Sequence, residues 1–237
     1  MIGVIGGNGV AATNKLMQLV EERCTKAGAF RDAHHPEMIV WQATQVPSRS
    51  LFLEGRGESF IPGYVSIGRG LKACGCTRLC MCCNTAHYAI DDLEQQIGLP
   101  FINMLQLVAQ RVASTGGTKV GIMCSDGLSR YRLYDEYIHK EVPSMEIVYP
   151  DAETQNMVTQ GICNAKSKIR FDTSSDKNPQ RLFDEVCRRL ASEGCDVIVA
   201  GCTDIRNVFY LNTPGYVDSL SVLADAICDI FNREHDI

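Results

Sequence analysis

This 237-residue chain repeats itself at about half its length, and that constrains its fold more than anything else in the sequence. Gly3-Val4-Ile5-Gly6-Gly7-Asn8-Gly9 lines up with Gly121-Ile122-Met123-Cys124-Ser125-Asp126-Gly127, 118 residues on. Cys83-Asn84-Thr85 lines up with Cys202-Thr203-Asp204 at a separation of 119. Phe101-Ile102-Asn103-Met104-Leu105 resembles Tyr216-Val217-Asp218-Ser219-Leu220 at 115. Three matches in one order at these offsets predict two similar halves.

Within each half, short apolar runs alternate with helical stretches. Residues 1–5, 37–43, 77–82, 100–102, 119–123, 146–149 and 197–200 read as strands. Residues 12–24, 64–74, 88–97, 104–114, 128–140, 156–168, 179–192 and 219–234 read as helices. Residues 44–50 and 170–177 read as loops. Strands separated by helices of this length predict βαβ units and parallel sheets. The expected fold is α/β: two similar Rossmann-like (flavodoxin-like) domains related by pseudo-two-fold symmetry, with the active site in the cleft between them. The expected division is 1–99 plus 214–237 against 100–213.

The formal charge of −5, with no local Lys/Arg cluster, argues against a nucleic-acid partner. No apolar run approaches the ~18 residues of a membrane span. The opening residues lack the basic segment of a signal peptide, so export is not expected. Twelve cysteines then read as reduced thiols of a cytoplasmic protein rather than a disulfide framework. The cluster Cys74, Cys76, Cys80, Cys82 and Cys83 lacks paired CxxC knuckles, and strand alternation turns Cys83 away from Cys80 and Cys82. No metal is expected. The Gly6–Gly9 turn has neither GxGxxG nor a Walker lysine, which argues against a nucleotide. Cys24, Cys163, Cys187, Cys195 and Cys228 read as packing residues.

Cys83 and Cys202 differ from the other cysteines because the repeat pairs them. Each follows an apolar run and precedes a polar turn, which in an open α/β sheet is the ligand-binding end of a strand. Two halves facing each other would oppose the two thiols across a cleft. Opposed thiols suit proton transfer at one carbon: one removes the proton and the other returns one to the opposite face.

The segments Cys83-Asn84-Thr85-Ala86-His87, Gly201-Cys202-Thr203-Asp204, the 3–13 opening and the Gln45-Val46-Pro47-Ser48-Arg49-Ser50 loop resemble the aspartate/glutamate racemase family. The likeness implies a PLP-independent racemase of aspartate or glutamate, needing no cofactor, working as a homodimer, with Cys83 and Cys202 as its two bases. It further implies substrate contacts at Gly7, Asn8, Gln45, Arg49, Asn84, Thr85, Ser125, Lys166 and Thr203, with His87 and Asp204 in support. Arg49 and Lys166 are the candidates for a side-chain carboxylate. The sequence departs from the family pattern at Asn8, where Met is usual, and at Val10, Ser48, Leu128 and Asp204. Two other readings stay open: a maleate isomerase or decarboxylase type using one cysteine covalently, and a ligand-binding protein without turnover.

Overall fold

In a computed structural model describing residues 1–235, the chain forms two parallel sheets flanked by helices. The first half runs β1 (Ile2–Gly6), α1 (Val10–Lys26), β2 (Met38–Gln42), α2 (Arg49–Leu53), α3 (Ile61–Ala73), β3 (Arg78–Met81), α4 (Ile90–Ile97) and α5 (Met104–Thr115). The second runs β4 (Lys119–Met123), α6 (Asp126–Tyr131), α7 (Asp135–Glu141), β5 (Glu146–Val148), α8 (Ala152–Ala165), α9 (Pro179–Ser192), β6 (Val197–Ala200), β7 (Tyr216–Asp218) and α10 (Ser219–His235). The strand orders β2-β1-β3 and β5-β4-β6-β7 match once the parallel bridge from Leu79 to Phe101 is counted as the fourth position of the first sheet. Gly3 pairs with Leu79 and Gly121 with Ile198, so the repeat seen in the sequence is a repeat of register.

Side-chain alternation divides the core into three. Ile2, Val4, Cys80 and Cys82 face inward from the first sheet, as do Val120, Ile122, Val197 and Val199 from the second. They meet α1, α5 and α10 in one continuous core. Outward-facing residues pack separately, under α3 and α4 in the first half and under α8 and α9 in the second. Strand pairing keeps Phe101 with the first sheet and β7 with the second, whereas α5 packs beside α7, β6 and β7, and α10 lies on α1. Asn103 and Asp218 stand before α5 and α10 and accept from the first turn, Asn103 from Gln106 N–H three residues on and Asp218 from Leu220 N–H two residues on, at 3.1 Å each.

Several elements differ from expectation. Residues 128–140 are not one helix: Arg132 adopts φ +48° and separates α6 from α7, where Tyr134 is buried. The 44–50 loop ends in α2, which Ser48 Oγ caps by accepting Leu51 N–H at 3.3 Å. Residues 100–102 make only the single bridge, since Pro100 has no N–H to extend a ladder. The strand β7 was not expected, being three residues long. All twelve cysteines are free. Among the described residues, no helix is long and apolar enough to cross a membrane, and no cluster of His, Cys, Asp or Glu is arranged to hold a metal.

Two details fix the loops that follow the strands. Gly7 turns at φ +78°, and a Cβ there would lie 2.4 Å from Ala43 N, so only glycine fits. His87 is buried, and Met104 N–H donates to its Nε2 at 3.1 Å, which leaves Nδ1–H to donate to the Cys83 carbonyl at 2.9 Å. Burial holds this imidazole neutral, pushing it down to about 4 despite those backbone contacts. An unfolded histidine titrates near 6.5, so this group weakens folding as pH falls from about 6.5 towards 4 and has no effect above. Unfolding free energy should fall by on the order of 3 kcal/mol across that window through His87 alone. Denaturant melts at pH 7 and pH 4 on the wild type and on His87→Gln test this. The variant should lose that part of the slope, and equal slopes would contradict the assignment.

Candidate active site

A cavity of about 340 Å³ opens where the carboxyl ends of the two sheets meet. Cys83, at the end of β3, and Cys202, at the end of β6, both line it and are both partly buried. The loop after β1 contributes Asn8, and the turn after β4 contributes Ser125 and Asp126. Residues 48–51, Glu54 and Arg56 form one wall; Thr159, Ile162, Cys163 and Lys166 of α8 and its end form another.

The two cysteine loops are tied to the opposite half. Thr203 Oγ1 donates to Cys82 O at 3.0 Å, and the Thr85 and Ser125 hydroxyls pair at 2.8 Å. Tyr134 O–H donates to Asn84 Oδ1 at 2.5 Å, while Asn84 Nδ2 donates to Ser219 Oγ at 3.0 Å. Asn84, Thr85, Ser125 and Thr203 are therefore at the cavity, but their side chains bond protein.

The charged residues converge more closely. Lys166 Nζ lies 2.7 Å from Asp204 Oδ2, and Asp204 is buried. Burial pushes the Asp204 carboxyl above its usual range, because it is desolvated more deeply than Lys166 and Arg49 offset. Desolvation works against the Lys166 ammonium, yet Asp204 and the two cysteines hold it above the ordinary lysine range. Burial, reinforced by Asp204 and opposed by Lys166, pushes the Cys202 thiol up to about 12. Arg49 donates to Pro47 O at 3.1 Å and to Asn8 O at 3.2 Å, with its guanidinium against Cys83. Burial opposes its charge, but Cys83, Tyr64 and Asp204 hold it above the usual arginine range.

Not every expected contact reaches the cavity. Gly7 shapes the β1 turn without lining the cavity, its N–H donating to Thr13 Oγ1 at 2.9 Å. Gln45 is exposed and donates to Thr44 Oγ1 at 3.3 Å, away from the cavity wall. His87 bonds backbone rather than either thiol. Leu128, one of the departures from the family pattern, lies in the central core. Cys163 is a correction: expected as packing, it is exposed at the cavity.

The sequence reading also missed Tyr64, whose hydroxyl accepts from Asn8 Nδ2, and Tyr134, because their roles come from contacts across the fold. Asp126 could have been found, since the repeat aligns it with Asn8. Its Oδ1 accepts from Gln155 Nε2 at 2.9 Å and Thr159 Oγ1 at 2.8 Å.

The family model for Asp/Glu/Hydantoin racemase matches residues 2–226. The broad specificity amino-acid racemase RacX of Bacillus subtilis (strain 168) is 22% identical over 211 residues, covering 88% of this chain and 87% of that protein. Among solved structures, Picrophilus torridus aspartate racemase superposes with a TM-score of 0.80 at 23% identity, covering 98% of this chain and 94% of that one. The maleate isomerase Iso from Pseudomonas putida S16 shares the fold more distantly, with a TM-score of 0.58 at 10% identity over 98% of this chain and 92% of that one. A repeated α/β frame, two cysteines at equivalent strand ends and a family match across nearly the whole chain agree: this chain belongs to the Asp/Glu/Hydantoin racemase family.

Proposed function

We propose that this chain is a cofactor-independent amino-acid racemase in which Cys83 and Cys202 exchange a proton at the substrate α-carbon. The observation that carries the reading is that the two cysteines at matched ends of β3 and β6 line one cavity together with Arg49 and Lys166. Aspartate and glutamate are the substrates that the resemblance implies, with Arg49 as the cation for a side-chain carboxylate. A homodimer in a reducing cytoplasm belongs to the same reading.

The chemistry follows from placement. A thiolate takes the α-proton, leaving the electron pair of the broken C–H bond on carbon, and the opposite thiol delivers its proton to the other face. Cys202, pushed up to about 12, is the proton donor at rest, which makes Cys83 the base for one enantiomer. After each turnover the proton has moved, so the reverse stroke uses the thiols in exchanged roles. The α-carbon of a bound amino acid is a weak acid. Arg49 and Lys166, in a partly closed cavity, are the charges available to stabilise the electron-rich intermediate. Two thiols at one cavity favour this scheme over covalent chemistry at a single cysteine.

Cys83→Ser and Cys202→Ser should each lower interconversion by roughly a hundredfold or more, read by chiral chromatography of L- and D-substrates. Full activity in either variant would remove that residue as a base. Lys166→Met removes the cation that opposes the upward push on Cys202. Its rate should fall at neutral pH in the direction that starts from the Cys202 thiolate, and the rising limb of the pH profile should move to higher pH. An unchanged profile would separate Lys166 from Cys202.

A further inference from the structure

Two cysteines that do not line the cavity lie against each other on the scaffold. Cys24, in the last turn of α1, and Cys228, in the middle of α10, bring their sulfurs to 3.6 Å. They stand 204 residues apart, so this contact joins the first helix of the chain to its last.

The approach is held from both sides. Arg23, next to Cys24, pairs with Asp225, one turn before Cys228, and its Nη2 donates to Ser221 O at 3.1 Å. Arg111 of α5 donates to the other oxygen of Asp225 at 3.1 Å. These bonds fix the register of α10 on α1 and α5 beside the sulfurs, and both cysteines belong to the shared central core.

Free cysteines inside a core are mostly inert packing. Here the geometry offers more. A disulfide bond is about 2.05 Å long, so sulfurs at 3.6 Å close it with about 1.5 Å of movement shared between two side chains. Cys187 makes the contrast: its sulfur neighbour, at 3.8 Å, is the thioether of Met123, which has no proton to lose. Cys24 and Cys228 also keep 5% and 6% of their surface accessible, where Cys80, Cys82 and Cys124 keep none. We propose that Cys24 and Cys228 are a reversible oxidation site, forming a disulfide that staples α1 to α10 under hydrogen peroxide and opens again under a thiol reductant.

The step balances in two stages. One sulfur, as thiolate, attacks peroxide: an S–O bond forms, the O–O bond breaks, and the departing hydroxide takes up the thiol proton as water. The partner sulfur then attacks the sulfenic sulfur: the S–S bond forms, the S–O bond breaks, and a second water leaves. Two thiols lose two electrons and two protons, and peroxide is reduced to two waters. Burial, reinforced by Cys24, pushes the Cys228 thiol up to about 12, so the bond should form faster as pH rises. Cross-linking residues so far apart restricts the unfolded chain, so the thermal midpoint should rise by roughly 5–15 °C.

The cavity thiols are oxidisable too, so the readouts are mass and melting rather than turnover. The protein is treated with hydrogen peroxide, unfolded in N-ethylmaleimide, digested and analysed by mass spectrometry. The peptides carrying Cys24 and Cys228 should appear joined, lighter than their reduced sum by two hydrogens, and should separate with reductant. Recovery of either cysteine as the maleimide adduct, as a higher oxide or joined to another cysteine, under exposure that oxidises the exposed Cys74 and Cys163, would overturn the proposal. Cys24→Ser and Cys228→Ser should each abolish the rise in Tm on oxidation. Each variant is compared with its own reduced form, so destabilisation by the substitution cancels. A rise that survives in either variant, or a joined pair with no rise in the wild type, would overturn the staple.

Discussion

The site depends on hydrogen bonds that tie each cysteine loop to the opposite half of the molecule. Thr203 reaches back to the carbonyl before Cys83, and Thr85 pairs with Ser125 at the turn after β4. Tyr134, just after the break at Arg132, holds Asn84. Each of these bonds contributes only about 1 kcal/mol, but together they fix two strand ends from separate sheets around one cavity. The shared core of α1, α5 and α10 gives them a rigid footing. A pair of acid/base groups must be held to a fraction of an ångström to be useful, and that demands such bracing.

Within this near-symmetric frame the chemical surroundings are unequal. Cys202 lies with the buried Asp204 and Lys166, whereas Cys83 lies with Arg49. The repeat places both cysteines at one cavity, and the departures from it give them different neighbours. Asn8 and Asp126 illustrate this, occupying matched positions with different partners: Asp126 Oδ1 accepts from Gln155 and Thr159, while the Asn8 amide bonds the Tyr64 hydroxyl.

The fold was largely legible because parallel strands buried on both faces leave unbroken apolar runs, and because the repeat doubled every signal. Cys83 and Cys202 stood out for the same reason. What escaped the sequence was whatever depends on three-dimensional company. The break at Arg132 carries no glycine or proline to announce it, and β7 is too short for a periodic signal. Tyr64 and Tyr134 look like ordinary core aromatics until their hydroxyls are seen against Asn8 and Asn84. Gln45 sits in a loop that resembles a binding loop, yet the chain turns so that Arg49 enters the cavity and Gln45 faces solvent.

The central claim is that two thiols, and no single group, handle the α-proton. The most direct measurement is the isotopic content at the α-carbon after partial conversion of a protiated L-amino acid in D₂O, followed by proton NMR and chiral separation. Two-thiol transfer predicts that the D-product carries deuterium from its first appearance, because its proton comes from a thiol equilibrated with solvent. A D-product that retains the substrate's own protium would mean that one group carries the proton between faces, and would contradict the account.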